Sequence, residues 1–316
     1  MRVPMPVAPH LPPKVARNLA AMGETGAIWL ARLPGLVAGL ERRWDIIVGE
    51  AMPNATEAYV ASATSSQGEP GVLKVPIPGA QKAGRELRVL LAAQGRGYAR
   101  ALQHDPASGS MLLERLGPQL FQLGYPVERQ IEAICATLLE ARQVSGAGLQ
   151  LMTGAQKADS MAETVRAVTA RFDGACSPRT IEAALRIGQQ RRDAFDPATS
   201  VIGHGDAHAW NTLQDPKSGG FKFVDPDGLF IEPAHDLSIT LREGCNDFLA
   251  GDPVERGRER CELLARLTGV DPDPIWQWGL LESLVNGLLY LDVGSPDDAA
   301  PFLAVAEAWA AAEPPS

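Results

Sequence analysis

The segment His204-Gly205-Asp206-Ala207-His208-Ala209-Trp210-Asn211, with Asp225-Pro226-Asp227-Gly228 fourteen residues beyond Asn211, is the most informative part of this chain. Asp206 and Asn211 stand five apart. That spacing sets a proton-accepting carboxylate on one side of a loop and a metal-binding amide on the other, as phosphoryl transfer requires. Between Asn211 and Asp225 the sequence reads as a hairpin: a short strand from Thr212 to Gln214, a turn from Asp215 to Gly220, and a returning strand from Phe221 to Val224. Such a hairpin brings Asp225 back beside Asn211. Two oxygen ligands then converge on one hard cation, and Asp206 is left to accept a proton from a substrate hydroxyl.

The same residues admit another chemistry. His204, His208, Asp206, Asp225, Asp227 and the pair His235-Asp236 could be ligands of a metal-dependent phosphohydrolase, since imidazole and carboxylate suit transition metals. That reading leaves the Asp206 to Asn211 spacing unexplained and puts the histidines beside apparent β-structure. His204 and His208 are better read as hydrogen-bonded supports that orient the loop. Asp236 is read as a carboxylate that accepts backbone N–H groups from it.

A chain of 316 residues with 45% hydrophobic content can bury a real core, as one large domain or as two lobes sharing a cleft. Cys135, Cys176, Cys245 and Cys261 are scattered, with no C-x-x-C pair, and read as small buried residues in a reducing compartment. The most apolar early stretch, Gly26 to Leu40, is interrupted by Arg32 and Pro34, so no membrane span is expected, and no signal-peptide pattern precedes it. A cytoplasmic location follows as an expectation. A net charge of −9 argues against nucleic acid as a partner. From Asp225 to Glu255 many acids face one base, Arg242, and a field of that sign would attract a cationic substrate. Nothing in the sequence sets the oligomeric state.

The opening dozen residues are rich in proline and read as a surface arm. Trp29, Leu30, Leu33, Leu36, Val37 and Leu40 recur at helical spacing up to Trp44, despite Pro34. Ile46 to Val48, Glu57 to Ala63, Gly71 to Val75 and Met111 to Leu113 then read as strands of a small antiparallel sheet, with a helix from Gly84 to Leu91 among them. From Val127 onward the pattern is helical. One stripe is Ile131, Ile134, Leu138, Leu139 and Val144, a second Met161, Val165, Val168 and Phe172, and a third Ile181, Leu185 and Phe195. Trp276 to Leu291 and Pro301 to Ala312 close the chain as helices. A sheet-rich first third and a helical remainder predict two lobes, 1–115 and 116–316, with a connector near Glu114 to Pro118.

A β lobe, a helical lobe, and HGDAHAWN with VDPDG in the second resemble the aminoglycoside phosphotransferases. Within them, Trp29-Leu30, Leu33-Pro34, Arg43-Trp44 and Met111-Leu112-Leu113-Glu114-Arg115-Leu116 look most like the streptomycin 6-phosphotransferase and hydroxyurea phosphotransferase branch. The resemblance implies an α+β, bilobal protein kinase-like fold with a small β-rich N-lobe and a larger helical C-lobe. It implies an ATP-dependent, Mg²⁺-requiring small-molecule kinase that phosphorylates a hydroxyl, and a role in antibiotic resistance. Asp206 would be the catalytic base and Asn211 and Asp225 the magnesium ligands, assisted by Asp227 through water. Asp236 would be the structural carboxylate that follows.

The first lobe would then supply Lys74 to the α- and β-phosphates, with Glu86 as its partner on the next helix. The hinge would be Met111 to Leu116, where Leu113, Glu114 and Leu116 read the purine edge. The strand-turn-strand from Gly49 to Glu57 departs from a G-x-G-x-x-G loop, so its backbone is not expected to cradle phosphates as a glycine-rich turn would. Asn54 or Thr56 could donate side-chain hydrogen bonds there. For a cationic acceptor such as an aminocyclitol the candidate contacts are Glu232, Glu243, Asp247, Glu282 and Asp292. Two rivals stand beside this reading: a non-catalytic nucleotide-binding module, and the metal-dependent phosphohydrolase.

Overall fold

A computed structural model describes residues 11–312 apart from 54 and 80, so the first ten residues of the proline-rich arm and Asn54 lie outside the described residues. The chain forms two compact units, Met1–Gly117 and Pro118–Ser316.

In the first unit, helices α1 (Pro13–Ala21) and α2 (Glu24–Trp44) precede strands β1 (Ile46–Ala51), β2 (Ala58–Ser65) and β3 (Pro70–Pro76). Helix α3 (Gln81–Ala93) and strands β4 (Ala101–Asp105) and β5 (Ser110–Glu114) follow. The five strands form one antiparallel sheet in the order β1-β2-β3-β5-β4. Helix α2 packs Leu33 and Leu40 against Tyr59, Ala61, Ala63, Leu73, Val75 and Leu112 of the sheet. Each large side chain removed from water there contributes roughly 1.5–3 kcal/mol. Pro34 is accommodated within α2, which ends at Asp45 in the left-handed conformation. Strand side chains alternate between faces, so Lys74, flanked by the buried Leu73 and Val75, belongs to the face opposite this core. Helix α1 and the edge strand β4 are not resolved by periodicity, because both are short, nine and five residues.

The second unit is helical, with α4 (Val127–Ala141), α5 (Gly154–Thr169), α6 (Pro178–Asp193), α7 (Ala234–Arg242), α8 (Cys245–Leu249), α9 (Pro253–Thr268), α10 (Pro272–Asp292) and α11 (Pro296–Ala312). Capping follows the expected chemistry: Thr153 and Gln156 form a capping box on α5, Ser177 caps α6, Asp252 caps α9 and Asp271 caps α10. Helix α10 is apolar on all sides and buries Trp276, whose ring lies 4.4 Å from that of Trp309 of α11, and Trp278, which packs on His235. Leu139, read as part of the α4 stripe, is 40% exposed, because it lies beside the Ile131, Ile134 and Leu138 face rather than on it. Five short strands interrupt the helices: β6 (Met152–Thr153), β7 (Val201–Gly203), β8 (Thr212–Gln214), β9 (Phe221–Phe223) and β10 (Leu229–Ile231). They pair as β6-β10-β7 and β8-β9. Among the described residues, no helix is long and apolar enough to cross a membrane.

Candidate active site

Strand β7 delivers the loop that begins at His204, and three features fix its path. Gly205 has φ of +89°, and a Cβ there would stand 2.7 Å from Cβ of Asp227, so only glycine fits. Asp236, in the first turn of α7, accepts the N–H of His204 at 2.7 Å and of Gly205 at 2.8 Å. His204 is fully buried. Its Nδ1 accepts the Asp206 N–H at 3.1 Å and its Nε2 lies 2.8 Å from the Val224 carbonyl. That pattern requires a proton on Nε2. Further along, the Trp210 ring stacks on Phe121 with centroids 3.5 Å apart, and Gln119 Nε2 donates to the Trp210 carbonyl at 2.7 Å.

The Asp206 carboxylate sits in a dense set of donors. Arg242 Nη2 donates to Oδ1 at 2.6 Å, His208 Nε2 stands 3.1 Å from Oδ2, and Asn211 Nδ2 donates to Oδ2 at 3.3 Å. His208 Nδ1 accepts the Trp210 N–H at 3.2 Å, so a neutral His208 already donates from Nε2. Burial opposes ionisation of Asp206, but the His208 hydrogen bond and the Arg242 charge outweigh it and hold the carboxyl well below the usual range. Asp206 is therefore an acceptor-only carboxylate at neutral pH. Burial likewise opposes ionisation of Asp236, and the neighbouring His235 with the Gly205 N–H reverses that effect.

The hairpin read from the sequence is present. Thr212 pairs with Phe223 and Gln214 with Phe221. Its turn is organised by Asp215, which accepts the Lys217 N–H and the Ser218 hydroxyl, each at 2.9 Å. Val224 N–H closes on the Asn211 carbonyl at 2.9 Å, which places Asp225, with φ of +59°, beside Asn211. The Asn211 amide nitrogen donates to the Asp206 carbonyl at 3.0 Å, so its amide oxygen is the atom that could meet a cation. One amide oxygen and one carboxylate fit Mg²⁺, which keeps several waters and phosphate oxygens of its own. Asp227 donates its N–H to the His204 carbonyl at 2.7 Å, and its side chain borders Gly205. A phosphohydrolase centre would need free imidazole nitrogens, whereas His204 spends both on the loop and His208 spends one on Trp210. Among the described residues, no three His, Cys, Asp or Glu side chains group as a metal site.

In the first unit, Lys74 Nζ donates to both Glu86 oxygens, at 2.7 and 2.8 Å. Both side chains are largely buried, where an ammonium without a partner would cost several kcal/mol. Leu113 and Leu116 are buried. The Glu114 N–H is taken by the Arg100 carbonyl at 2.9 Å, and its carboxylate accepts the Arg100 N–H at 2.8 Å. Of these three, Leu116 alone lies past the end of β5. The Thr56 carbonyl accepts from Asn18 Nδ2 at 2.9 Å.

The acids named as acceptor contacts are mostly engaged by the protein itself. Glu232 is held by Arg191 Nη1 at 3.0 Å and by Trp278 Nε1 at 2.9 Å. Glu282 is buried with Lys157 at 3.3 Å, His235 at 3.1 Å and Arg242 at 3.6 Å. Despite burial, those cations hold its carboxyl well below the usual range. Asp292 pairs with Arg171 at 2.6 Å and Glu243 with Arg242 at 2.9 Å, while Asp247 stays exposed. Glu232 and Glu282 are thus ion-pair partners within the helical unit, with donors already on their oxygens. Arg242 itself was read only as the solitary base of an acidic stretch; no local pattern signals that α7 aims it at Asp206.

Comparisons with known proteins bear on the family and the fold. Residues 43–294 match the model of a family described as aminoglycoside/hydroxyurea antibiotic resistance kinase. The chain is 30% identical to a streptomycin 6-kinase of Streptomyces glaucescens over 90% of its own length and 91% of the relative's. It is 28% identical to a hydroxyurea phosphotransferase of Kitasatospora aureofaciens, over 86% and 77% respectively. In fold it is similar to a choline kinase of Streptococcus pneumoniae, with a TM-score of 0.60 and 13% identity, covering 88% of this chain and 98% of that one. The fold is thus the kinase-like one, and the breadth of the family match makes this chain a phosphotransferase belonging to the aminoglycoside/hydroxyurea antibiotic resistance kinases.

Proposed function

We propose that the chain transfers the γ-phosphoryl group of ATP to a hydroxyl of a small molecule, with Asp206 orienting that hydroxyl and receiving its proton. The observation that supports this most is the arrangement at Asp206: an ionised carboxylate five residues from Asn211, with the β8-β9 hairpin returning Asp225 to the same place. Phosphoryl transfer through a loose transition state asks for positioning and charge neutralisation more than for a strong base. An ionised carboxylate suits that demand, because the proton has to be taken only late.

Asn211 and Asp225 would hold Mg²⁺, with Asp227 assisting through water. When bound, the ion would supply charge neutralisation to the phosphates. Lys74 holds the α- and β-phosphates, and Glu86 fixes the ammonium in place. The Leu113 to Leu116 segment reads the purine edge, with the Leu116 backbone as the principal contact. The acceptor we infer is an aminocyclitol hydroxyl, as on streptomycin. This is supported by similarity to the streptomycin 6-kinase over most of both chains. Glu243, Asp247 and Asp292 remain as its acidic contacts, and phosphorylation of such an antibiotic would confer resistance. Hydroxyurea is the second acceptor, on the likeness to the hydroxyurea phosphotransferase.

The test is ADP release with Mg²⁺ and ATP across streptomycin, hydroxyurea, other aminoglycosides and small polyols. Streptomycin-dependent release whose KM rises with salt supports the cationic acceptor, since screening weakens exposed charge pairs. Release with hydroxyurea alone replaces streptomycin as the acceptor. ATP binding with no release under any acceptor contradicts the proposal.

A further inference from the structure

Arg242 is a large investment at the end of α7. Its Nε and Nη2 donate to Glu243 Oε1 at 3.0 and 2.9 Å, its Nη1 stands 3.6 Å from Glu282 Oε2, and Nη2 also donates to Asp206 Oδ1 at 2.6 Å. Glu282 is itself fixed from two other directions by Lys157 of α5 and His235 of α7. The chain of contacts therefore runs from the buried centre of the helical unit out to one oxygen of one carboxylate.

The distribution of donors on Asp206 shows what that contact adds. His208 and Asn211 both address Oδ2, and Arg242 addresses Oδ1. The terminal torsion of an aspartate is soft, so donors to one oxygen alone leave the other free to swing. A carboxylate has about four lone-pair sites. With three taken, the remaining one lies on Oδ1, beside the guanidinium. The planar fork of arginine can hold Glu243 and Asp206 at once, which a lysine ammonium cannot do in the same geometry.

We propose that Arg242 is a positioning residue for phosphoryl transfer: it fixes Oδ1 of Asp206 as the atom that meets the acceptor hydroxyl, and Glu243 and Glu282 fix Arg242. This rests on Asp206 being the group that receives the acceptor's proton. The alternative is that Arg242 only stabilises the helical unit, neutralising Glu282 without affecting the reaction.

The experiment compares wild type, Arg242→Ala, Arg242→Lys, Glu243→Gln and Asp206→Asn, each checked for folding by thermal unfolding. The probe is streptomycin, or hydroxyurea if wild type turns over only that. Arg242→Ala is expected to lower kcat by about 10²-fold, the scale of a small misplacement of a reacting group, with both KM values nearly unchanged. Guanidinium ion, well below denaturing concentration, is expected to restore part of kcat in Arg242→Ala and none in Asp206→Asn. Arg242→Lys should fall between wild type and Arg242→Ala. A folded Arg242→Ala with wild-type kcat, a loss confined to KM, or a loss that guanidinium does not relieve would overturn the proposal. If Arg242→Ala does not fold, the exposed Glu243→Gln decides on kcat alone, because an acceptor contact at Glu243 moves KM: a lowered kcat supports the proposal and an unchanged kcat refutes it. Asp206→Asn separates the two levels. If it keeps wild-type kcat, the assignment of Asp206 fails; if it is inactive while Arg242→Ala is not, only the role of Arg242 fails.

Discussion

Asp236 never needs to touch a substrate to matter. Its carboxylate satisfies two backbone N–H groups in the buried turn that aims Asp206, and each donor stranded without a partner costs about 1–3 kcal/mol. Asp236→Ala is therefore expected to lower stability by several kcal/mol, read as a shifted urea midpoint, and to lower activity with it. An unchanged midpoint would contradict the account of the loop. At this scale the sequence was legible where function is local: the spacing of Asp206, Asn211 and Asp225, and a carboxylate below the loop. It was not legible where a side chain is supplied from a distance, as by Arg242, 36 residues along the chain from Asp206. The partners of the acidic stretch were hidden for the same reason, since composition does not reveal that Arg191 and Trp278 hold Glu232.

Among elements, the β8-β9 hairpin and the α2 stripe, except for the exposed Leu30, could be read because each is specified by its own residues: turn formers at Asp215 to Gly220 in the first, apolar spacing in the second. Helix α10 is different, because it is apolar on every side and periodicity gives no face. Its placement depends on close approach. At Gly279 a Cβ would fall 2.5 Å from Leu241 Cδ1 and 3.3 Å from Trp309. Gly279→Val should overpack this contact and destabilise the protein by about 1–3 kcal/mol, lowering Tm. Unchanged Tm would mean that α7 and α10 are not packed as described. The thiols of Cys135, Cys245 and Cys261 are pushed up to about 12 by burial. They should resist labelling in the folded protein, whereas Cys176, half-buried and pushed up to about 11, should react first.

For the whole molecule, the ion pairs beneath the loop tie stability to pH. Asp236 and Glu282 have depressed pKa values in the folded state. On acidification the unfolded chain takes up protons before they do, so the stability they contribute above the ordinary carboxyl range is lost as pH falls through their folded values. His235 has the opposite sign. Burial disfavours its charge, but Asp236 and Glu282 raise its pKa, so its contribution is present below the ordinary imidazole value and is lost as pH rises through the folded one. Urea midpoints should therefore fall below about pH 5, and a midpoint that climbs on acidification would contradict the network. The two-part composition, a sheet-rich first third and a helical remainder, was legible across the chain, and the family match covers residues 43–294.

The central claim is that Asp206 receives the proton of the acceptor hydroxyl. It is tested most directly by acceptor-dependent ADP release in wild type and Asp206→Ala, with ATP affinity measured in parallel. Loss of a positioned general base should lower kcat by about 10²–10⁴-fold while ATP binding is retained. Turnover in Asp206→Ala equal to wild type would contradict it.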